Sequence, residues 1–159
     1  MTPLHPPRPP RVLAVSSGGG HWVELLRLAP AFEGADLAFV TVVPDYREQA
    51  AAFPGSRFYT VVDVTRWNKL KWVLCALQLV PVLLRERPDV VVATGALPAY
   101  FACRIGKLLG ARVVWVDSIA NVEELSRSGQ LIGPHADLWL TQWPHLASGD
   151  RPGCRGAVL

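Results

Sequence analysis

Three observations predict an α/β fold, with one doubly wound parallel sheet. Short apolar runs recur along the chain and are separated by stretches of helical length. The runs are nearly free of charge, which is typical of strands buried on both faces of a parallel sheet. Glycine turns at residues 17–20 and 94–96 follow two of these runs, where a helix is expected to begin. Strand–helix alternation of this kind favours helices packed on both faces of one sheet.

The predicted elements alternate in the way expected of a Rossmann-like sheet. Strands are predicted at residues 12–16, 37–43, 58–62, 89–93, 112–116 and 138–141. Helices are predicted at residues 21–32, 45–53, 67–87 and 99–109. Right-handed crossovers then give the strand order 3-2-1-4-5-6, in which the first and fourth strands are neighbours.

The first predicted helix has a wide apolar face to pack on the sheet. Val23 and Leu25 belong to this face, whose members recur at helical spacing. Glu24 and Arg27 are expected to point outward, away from the sheet.

The third predicted helix includes residues 72–84, which have no charged side chain. At about 1.5 Å per residue these span roughly 20 Å, too short for a hydrocarbon core of roughly 30 Å. Pro81 is expected to kink or break the helix. Two interpretations stay open: a core helix packed on the sheet, and a helix whose outer side touches a bilayer.

In the second interpretation, the start of this helix lies at the membrane interface. Trp67 and Trp72 are then expected at headgroup depth, where indole rings are favoured. Lys69 and Lys71 are expected to contact anionic lipid. The two interpretations are compatible, because they concern different faces of one helix.

Composition excludes several classes of protein. The chain has 159 residues, half of them hydrophobic, and a net charge of +3. A nucleic-acid-binding surface is usually denser in basic residues, so no nucleic-acid partner is expected. The three cysteines have neither metal-ligand nor redox spacing, so no metal site is predicted. Scattered thiols of this kind also fit a reducing compartment.

One globular domain is expected over residues 11–146. Residues 1–10 include five prolines and no apolar run, which predicts a disordered, polyproline-like leader and not a signal peptide. Residues 147–159 form a tail that is rich in glycine and proline.

The two glycine turns predict a crevice that binds a phosphate group. The first turn consists of Ser17, Gly18, Gly19 and Gly20. A strand–glycine–helix junction presents free backbone N–H groups and the positive end of a helix dipole. Thr94 and Gly95 follow the fourth strand and are expected at the same edge of the sheet. The alternative is that the glycines only allow each helix to pack closely on its strand.

Known nucleotide-binding motifs fit the first turn poorly. A dinucleotide fingerprint needs Gly or Ala where this chain has Val23. No glycine–lysine–hydroxyl triplet follows at the spacing of a P-loop. A methyltransferase-like nucleoside pocket stays possible on the fold alone.

His21 and Asp117 are the candidate catalytic residues. His21 lies in the first turn of the first helix, where an imidazole can act as a general base or donate to a phosphate. Asp117 ends the fifth strand, next to Ser118, and is expected to face the same crevice. The alternatives are a histidine that only satisfies backbone groups, and an aspartate that caps the following loop.

Four ordered motifs within residues 11–146 resemble those of one family. They are Ser17-Gly-Gly-Gly-His21, Thr94-Gly-Ala-Leu-Pro98, Val116-Asp-Ser-Ile-Ala-Asn121 and Gln142-Trp-Pro144. Together they resemble the PssD-like bacterial polysaccharide-biosynthesis proteins. They are also similar to the membrane-anchoring subunit of the two-part UDP-N-acetylglucosamine transferase of asparagine-linked glycosylation. A more distant similarity is to the N-terminal half of MurG-type GT-B glycosyltransferases.

This resemblance implies half of a glycosyltransferase. A separate small subunit would bind the UDP-sugar, forming a heterodimer, and the tail at residues 147–159 would dock it or remain a loose end. The implied reaction moves a sugar, UDP-N-acetylglucosamine being one donor, to a polyprenyl-diphosphate-linked acceptor with inversion. No cofactor is implied.

The resemblance also assigns roles within the crevice. His21, or alternatively Asp117, would take the proton from the attacking hydroxyl, and the first glycine turn would hold the acceptor's diphosphate. Acceptor contacts are further expected from Ser17, Gly18, Gly19, Gly20, Thr94, Gly95, Ser118 and Asn121, with Glu123 and Glu124 as weaker candidates for contact with the acceptor sugar.

One departure from the family concerns the membrane. Eukaryotic relatives have an N-terminal transmembrane anchor, where this chain has the proline leader. Attachment is therefore expected to be peripheral, at the cytoplasmic face, through the third helix or another protein. The competing hypotheses are a stand-alone nucleotide- or dinucleotide-binding enzyme and a non-catalytic membrane adaptor.

Overall fold

A computed structural model describes residues 8–149 and 151–158, which form one parallel sheet with helices on both faces. The strand order is β3-β2-β1-β4-β5-β6-β7, with every pairing parallel. The strands are β1 (Arg11–Val15), β2 (Asp36–Thr41), β3 (Arg57–Thr60), β4 (Val90–Ala93), β5 (Arg112–Val116), β6 (Leu138–Thr141) and β7 (Gly153–Cys154). The predicted fold class and the order of the first six strands are confirmed.

The core has two layers, because successive strand residues face opposite sides of the sheet. On one side, Leu13 and Val15 pack with α3 (Lys69–Glu86), α4 (Leu97–Leu108) and α5 (Arg127–Ile132). On the other side, Val12 and Ala14 pack with the remaining two helices. These are α1 (Gly20–Leu28) and α2 (Arg47–Ala50). The central strands β1 and β4 are thereby covered on both faces, as their uninterrupted apolar sequences predict.

The helices differ from the predicted ones mainly at their ends. The first predicted helix divides into α1 and a 3₁₀ turn at Ala29–Phe32, where Pro30 lacks the N–H that an α-helix requires. The second shortens to α2, preceded by a 3₁₀ turn at Pro44–Tyr46. The short helix α5 was not predicted, because six residues give too little periodicity to recognise.

Of the two effects expected of Pro81, a kink or a break, the break is wrong, since α3 runs through it without interruption. Pro81 and Leu77, the residue four positions earlier, both lie on the exposed side of α3. The carbonyl that loses its N–H partner therefore faces solvent, which can satisfy it. Among the described residues, no helix has both the length and the hydrophobicity needed to cross a bilayer.

The two ends of the domain are more ordered than predicted. Most of the predicted leader, residues 1–7, lies outside the described residues. Arg8 donates two 2.7 Å hydrogen bonds to Asp89, and the Pro10 carbonyl accepts from the Asp36 amide at 2.9 Å, so residues 8–10 pack on the sheet. The tail is not a loose end over its described part, because β7 pairs with β6. β7 has only two residues, Gly153–Cys154, which explains why the sequence pattern did not predict this strand.

Candidate functional site

The candidate site lies at the carboxyl edge of the sheet, where β1 and β4 run side by side. The turn after β1 approaches the neighbouring loop closely, since a Cβ on Gly18 would lie 2.9 Å from Val43 Cγ2. Gly19 has a φ of +67°, a conformation that favours glycine, and caps α1. Its amide donates to the Tyr46 hydroxyl at 3.0 Å.

The two predicted glycine turns meet at His21. The Thr94 hydroxyl donates to the His21 carbonyl at 2.8 Å. Gly95 has a φ of +140°, and a Cβ placed there would lie 2.5 Å from His21 Cε1 and 2.6 Å from His21 Nδ1. Glycine is thus required at position 95 for two reasons: the positive φ disfavours a side chain, and the His21 imidazole leaves no room for a Cβ. The turns after the first and fourth strands therefore lie side by side at one edge of the sheet, and a phosphate-binding crevice between them stays a prediction.

Glu24 is a candidate site residue that the sequence pattern did not reveal. It was expected to face outward, but its side chain is buried, whereas Val23 is the exposed neighbour. Its Oε1 accepts hydrogen bonds from the Ser118 hydroxyl at 3.0 Å and from the Ile119 amide at 2.8 Å. The loop after β5 is therefore tied to α1 through one carboxylate. The position of Glu24, one turn after His21, was the signal that could have revealed it.

His21 and Glu24 face each other across a short gap. Their Nδ1 and Oε2 atoms are 4.0 Å apart, and both atoms are buried without a hydrogen-bond partner. Buried polar atoms are nearly always satisfied in native proteins, so such a pair needs an explanation. Catalytic hydrogen bonds are often long before a substrate binds, so a catalytic role for this pair would account for the gap.

The carboxylate of Asp117 accepts hydrogen bonds from the loop that follows it. It is buried, and its Oδ1 accepts from the Asn121 side-chain amide at 2.9 Å and the Ser126 amide at 3.1 Å. Its Oδ2 lies so close to Gly129 that a Cβ there would be 2.1 Å away. These contacts match the alternative in which Asp117 braces the loop that follows β5. A catalytic role for Asp117 stays a prediction.

The other predicted acceptor contacts lie around the same edge. The Ser17 carbonyl accepts from the Ser16 hydroxyl at 2.9 Å, which holds the first turn. Gly20 begins α1, with nothing within 4 Å of a Cβ placed there. Glu123 and Glu124 are exposed in the loop after β5. No cluster of three or more metal-ligating side chains occurs in the described part of the chain.

The predicted membrane-contact residues do not all share one environment. Trp67 is 81% exposed, and Lys69 and Lys71 are also exposed. Trp72 is half-buried, packs against Phe101 and donates its indole N–H to the Thr65 carbonyl at 2.8 Å. Trp72 is therefore part of the fold as well as a candidate for contact with lipid.

The sequence matches one family model over more than half its length. Residues 56–154 match the model described as "Oligosaccharide biosynthesis protein Alg14 like". The chain belongs to this family. The predicted resemblance to the transferase subunit of asparagine-linked glycosylation is confirmed.

Similar proteins are named as transferase subunits. The UDP-N-acetylglucosamine transferase subunit ALG14 of Eremothecium gossypii is 32% identical over 169 residues, covering 87% of this chain and 75% of that protein. The human protein of the same name is 28% identical over 164 residues, with coverages of 85% and 76%.

Solved structures support the fold. MurG from Acinetobacter baumannii matches with a TM-score of 0.71 at 14% identity, over 89% of this chain and 44% of MurG. UDP-N-acetylglucosamine 2-epimerase from Rickettsia bellii matches with a TM-score of 0.65 at 13% identity, over 86% and 39%. The chain thus spans less than half the length of each, as expected of one half of a GT-B fold.

Proposed function

We propose that this protein is the acceptor-binding subunit of a two-subunit glycosyltransferase. The relatives named UDP-N-acetylglucosamine transferase subunit support transfer of N-acetylglucosamine from its UDP-linked form. The observation on which the catalytic part rests is the buried pair of unpartnered atoms in His21 and Glu24, at the edge where doubly wound sheets bind ligands. The acceptor is a polyprenyl-diphosphate-linked sugar.

His21 acts as the general base in this proposal. Nδ1 faces Glu24, so a proton on Nδ1 is directed to the carboxylate and Nε2 is left to accept a proton. Nε2 takes the proton of the acceptor hydroxyl as its oxygen bonds to the anomeric carbon, and UDP leaves from the opposite face with inversion. Glu24 positions the imidazole and stabilises its charged form. Closing the 4.0 Å gap to hydrogen-bond distance accompanies acceptor binding.

The acceptor contacts follow from the same edge. The first N–H groups of a helix have no intrahelical acceptor, so the amides of Gly20 and His21 are directed toward the crevice. Ser17, Gly18, Gly19, Thr94 and Gly95 shape the crevice around them. Ser118, Asn121 and Glu123 lie on the loop that Glu24 and Asp117 hold in place.

A small partner subunit supplies the donor half of the cleft. The described residues contain one sheet, whereas a GT-B catalyst has two Rossmann-like domains facing each other. Within the described part of the tail, β7 pairs with β6 at the edge of the sheet, and the arginine and alanine side chains at 155 and 157 are exposed. This strand edge is a surface on which the partner can dock.

The exposed face of α3 attaches the protein to the cytoplasmic surface of the membrane. Its inner face, with Cys75, Leu79 and Leu83, is buried in the core. The outer face has six exposed apolar side chains at helical spacing: Leu70, Val73, Leu74, Leu77, Val80 and Leu84. Soluble proteins rarely expose a contiguous apolar stripe of this kind. Basic residues at both ends of α3 favour an anionic lipid surface.

Co-expression tests the catalytic proposal. The protein is purified alone and with its donor-binding partner, and transfer from UDP-N-acetylglucosamine to a polyprenyl-diphosphate-linked sugar is measured. We expect activity only in the pair, and a loss of roughly 10²- to 10⁴-fold for His21→Ala. Val23→Ala, which removes an exposed side chain two residues away, is the matched control and leaves the rate unchanged.

The alternatives predict different results in the same assay. A non-catalytic adaptor leaves the assembled activity unchanged in His21→Ala. A stand-alone nucleotide-binding enzyme binds NAD or S-adenosylmethionine tightly in calorimetry without any partner. Either result would contradict the proposed function.

Vesicle flotation tests the attachment. Replacing Trp67, Lys69, Lys71 and Trp72 together reduces flotation with anionic vesicles, and so does Leu70→Gln with Leu77→Gln. Leu108→Gln changes an equally exposed leucine at the end of α4 and leaves flotation unchanged. Equal flotation of all variants would show that attachment does not use α3.

A further inference from the structure

Two open cavities adjoin each other at the carboxyl edge, beside the site described above. The first, of about 840 Å³, is lined by apolar side chains that include Val64, Trp72, Leu97 and Leu131. The second, of about 600 Å³, is lined by polar side chains that include Asn121, Glu124 and Ser126. Arg66, Arg127 and Gln130 line both cavities. The two arginines therefore stand where an apolar cavity gives way to a polar one.

Both guanidinium groups are available to an anion. Arg66 and Arg127 are exposed, and neither has a carboxylate within 4.0 Å among residues 8–149 and 151–158. Glu124 shares the polar cavity but forms no ion pair with either arginine. Arg66 lies over the Trp67 ring at 4.6 Å, a contact that leaves the edge of the guanidinium free to donate.

The cavities are lined by neighbours of the proposed catalytic residues and by the first turn of α3. Leu97 and Ala96 line the apolar cavity, and Gly95, which precedes them, contacts His21. Trp72 lines the same cavity and belongs to the first turn of α3, whose outer face is apolar. Asn121 lines the polar cavity and is bonded to Asp117. An extended ligand can thus run from the membrane-facing helix to the loop after β5.

We propose that Arg66 and Arg127 bind the diphosphate of an isoprenyl diphosphate-linked sugar at the junction of the two cavities. The first isoprene units lie in the apolar cavity against Trp72, and the sugar lies in the polar cavity. The order of the surfaces, apolar, cationic and polar, matches the order of tail, diphosphate and sugar in such a ligand. The inference rests on the proposed function and specifies how its acceptor binds.

This assignment differs from the expectation that the first glycine turn holds the diphosphate. The Gly19 amide already donates to Tyr46, and no arginine or lysine of the described residues bonds to the turn. Two arginines supply the charge that a diphosphate requires and can each donate two hydrogen bonds to it. The amides of Gly20 and His21 are then left for the reacting end of the acceptor.

Calorimetry of the full chain with farnesyl diphosphate tests the proposal without any transfer reaction. We expect Arg66→Gln with Arg127→Gln to weaken binding by roughly tenfold or more, since each charge-assisted contact is removed. Trp72→Ala weakens binding of farnesyl diphosphate but not of inorganic pyrophosphate. Arg112→Gln, an exposed arginine at the amino edge, is the matched control and binds as the unchanged protein does.

Three results would overturn the proposal. One is equal affinity for farnesyl diphosphate in the double variant and the unchanged protein, with both shown to be folded by circular dichroism. Another is equal affinity for pyrophosphate and farnesyl diphosphate, which would indicate a site for free phosphate. The third is equal affinity for a short-chain phosphatidic acid, which would indicate a site for any anionic lipid.

Two further outcomes distinguish failure of the arginine site from failure of the proposed function. If the arginine pair binds farnesyl diphosphate but the assembled pair of subunits transfers no sugar, the site stands and the proposed function fails. If transfer occurs with unchanged KM for the acceptor in the double variant, the proposed function stands and the arginine site fails.

Discussion

The two edges of the sheet differ in where the ion pairs lie. Among the described residues, every arginine or lysine ion pair lies at the amino edge. These pairs are Arg8–Asp89, Arg11–Asp89, Arg57–Asp36, Arg57–Glu86 and Lys107–Asp137. Two of them, Arg57–Glu86 and Lys107–Asp137, join the end of a helix to the start of a strand and so hold the helix layer on the sheet. The amino edge therefore serves the fold.

The carboxyl edge has charged and polar groups that no protein group satisfies. His21 Nδ1 and Glu24 Oε2 are buried without partners, and Ala96 has a φ of +72°, which is strained for a residue with a Cβ. Arg66 and Arg127 have no carboxylate partner among the described residues. Unsatisfied or strained groups lower the stability of the fold, and they are typically found at sites that bind a ligand. The amino edge also has one buried atom without a partner, Arg11 Nε, and one non-glycine residue with a positive φ, Arg87, so what distinguishes the carboxyl edge is the facing pair of His21 and Glu24.

The largest effect among the following variants is expected from Glu24→Gln, which changes one atom of the proposed catalytic pair of His21 and Glu24. The amide oxygen can replace Oε1 as acceptor for Ser118 and Ile119, and the amide nitrogen can donate to His21 Nδ1. His21 then holds its proton on Nε2 and cannot act as a base. We expect transfer by the assembled enzyme to fall by roughly 10²-fold or more, with thermal stability retained.

Glu48→Gln is the control for this variant, because Glu48 is exposed on α2 and distant from β5. A rate for Glu24→Gln equal to that of Glu48→Gln would contradict the role of Glu24 in positioning His21.

The next effect is expected from Gly95→Ala. The added Cβ would lie 2.5 Å from the imidazole, so His21 must move, and a φ of +140° adds strain. We expect kcat to fall by roughly ten- to a hundredfold, since small misplacements of a catalytic group are costly. The measurement is the transfer rate together with the thermal midpoint.

Gly110→Ala is the control that separates backbone strain from displacement of His21. Gly110 has a φ of +91° at the amino edge, with nothing within 4 Å of a Cβ placed there. This variant is expected to lose about 1 kcal/mol of stability and no activity. If both variants reduce kcat equally, backbone strain and not the contact with His21 explains the loss.

A third prediction concerns stability at the amino edge. Glu86 is buried and accepts from Arg57 Nε at 2.8 Å and from the Tyr59 hydroxyl. Burial alone would raise the pKa of Glu86, but the hydrogen bonds from Arg57 and Tyr59 lower it below the ordinary value. Glu86→Gln is expected to cost about 2 kcal/mol at neutral pH, as measured by urea denaturation.

The sign of the pH dependence follows from the lowered pKa. A carboxyl group whose pKa is lower in the folded state stabilises the fold above its ordinary pKa and loses this contribution as pH falls through the folded value. The difference between Glu86→Gln and the unchanged protein should therefore shrink on acidification. A difference that grows as pH falls would contradict the ion pair with Arg57.

The sequence predicted the fold better than the site. Long apolar runs and glycine turns are local signals, and they identified six strands, their order and the position of His21. Glu24 was placed wrongly because a lone glutamate on a helix is usually exposed. Its burial depends on Ser118 and Ile119, which are 94 and 95 residues away, and periodicity cannot reveal such partners. The arginine junction was missed for the same reason, since Arg66 lies in the loop before α3 and Arg127 is the first residue of α5.

The smallest effect is expected from Lys107→Gln, which removes an ion pair at the same edge as Glu86. Lys107 Nζ lies 2.7 Å from Asp137 Oδ2, but both side chains are about 40% exposed, so water screens the pair. Asp137 keeps its hydrogen bond from the Val113 amide at 2.7 Å in the variant. We expect a loss of no more than about 0.5 kcal/mol in urea denaturation, which added salt should reduce further. A loss as large as that of Glu86→Gln would mean that the amino edge depends on its ion pairs as one network, and not on the buried pair alone.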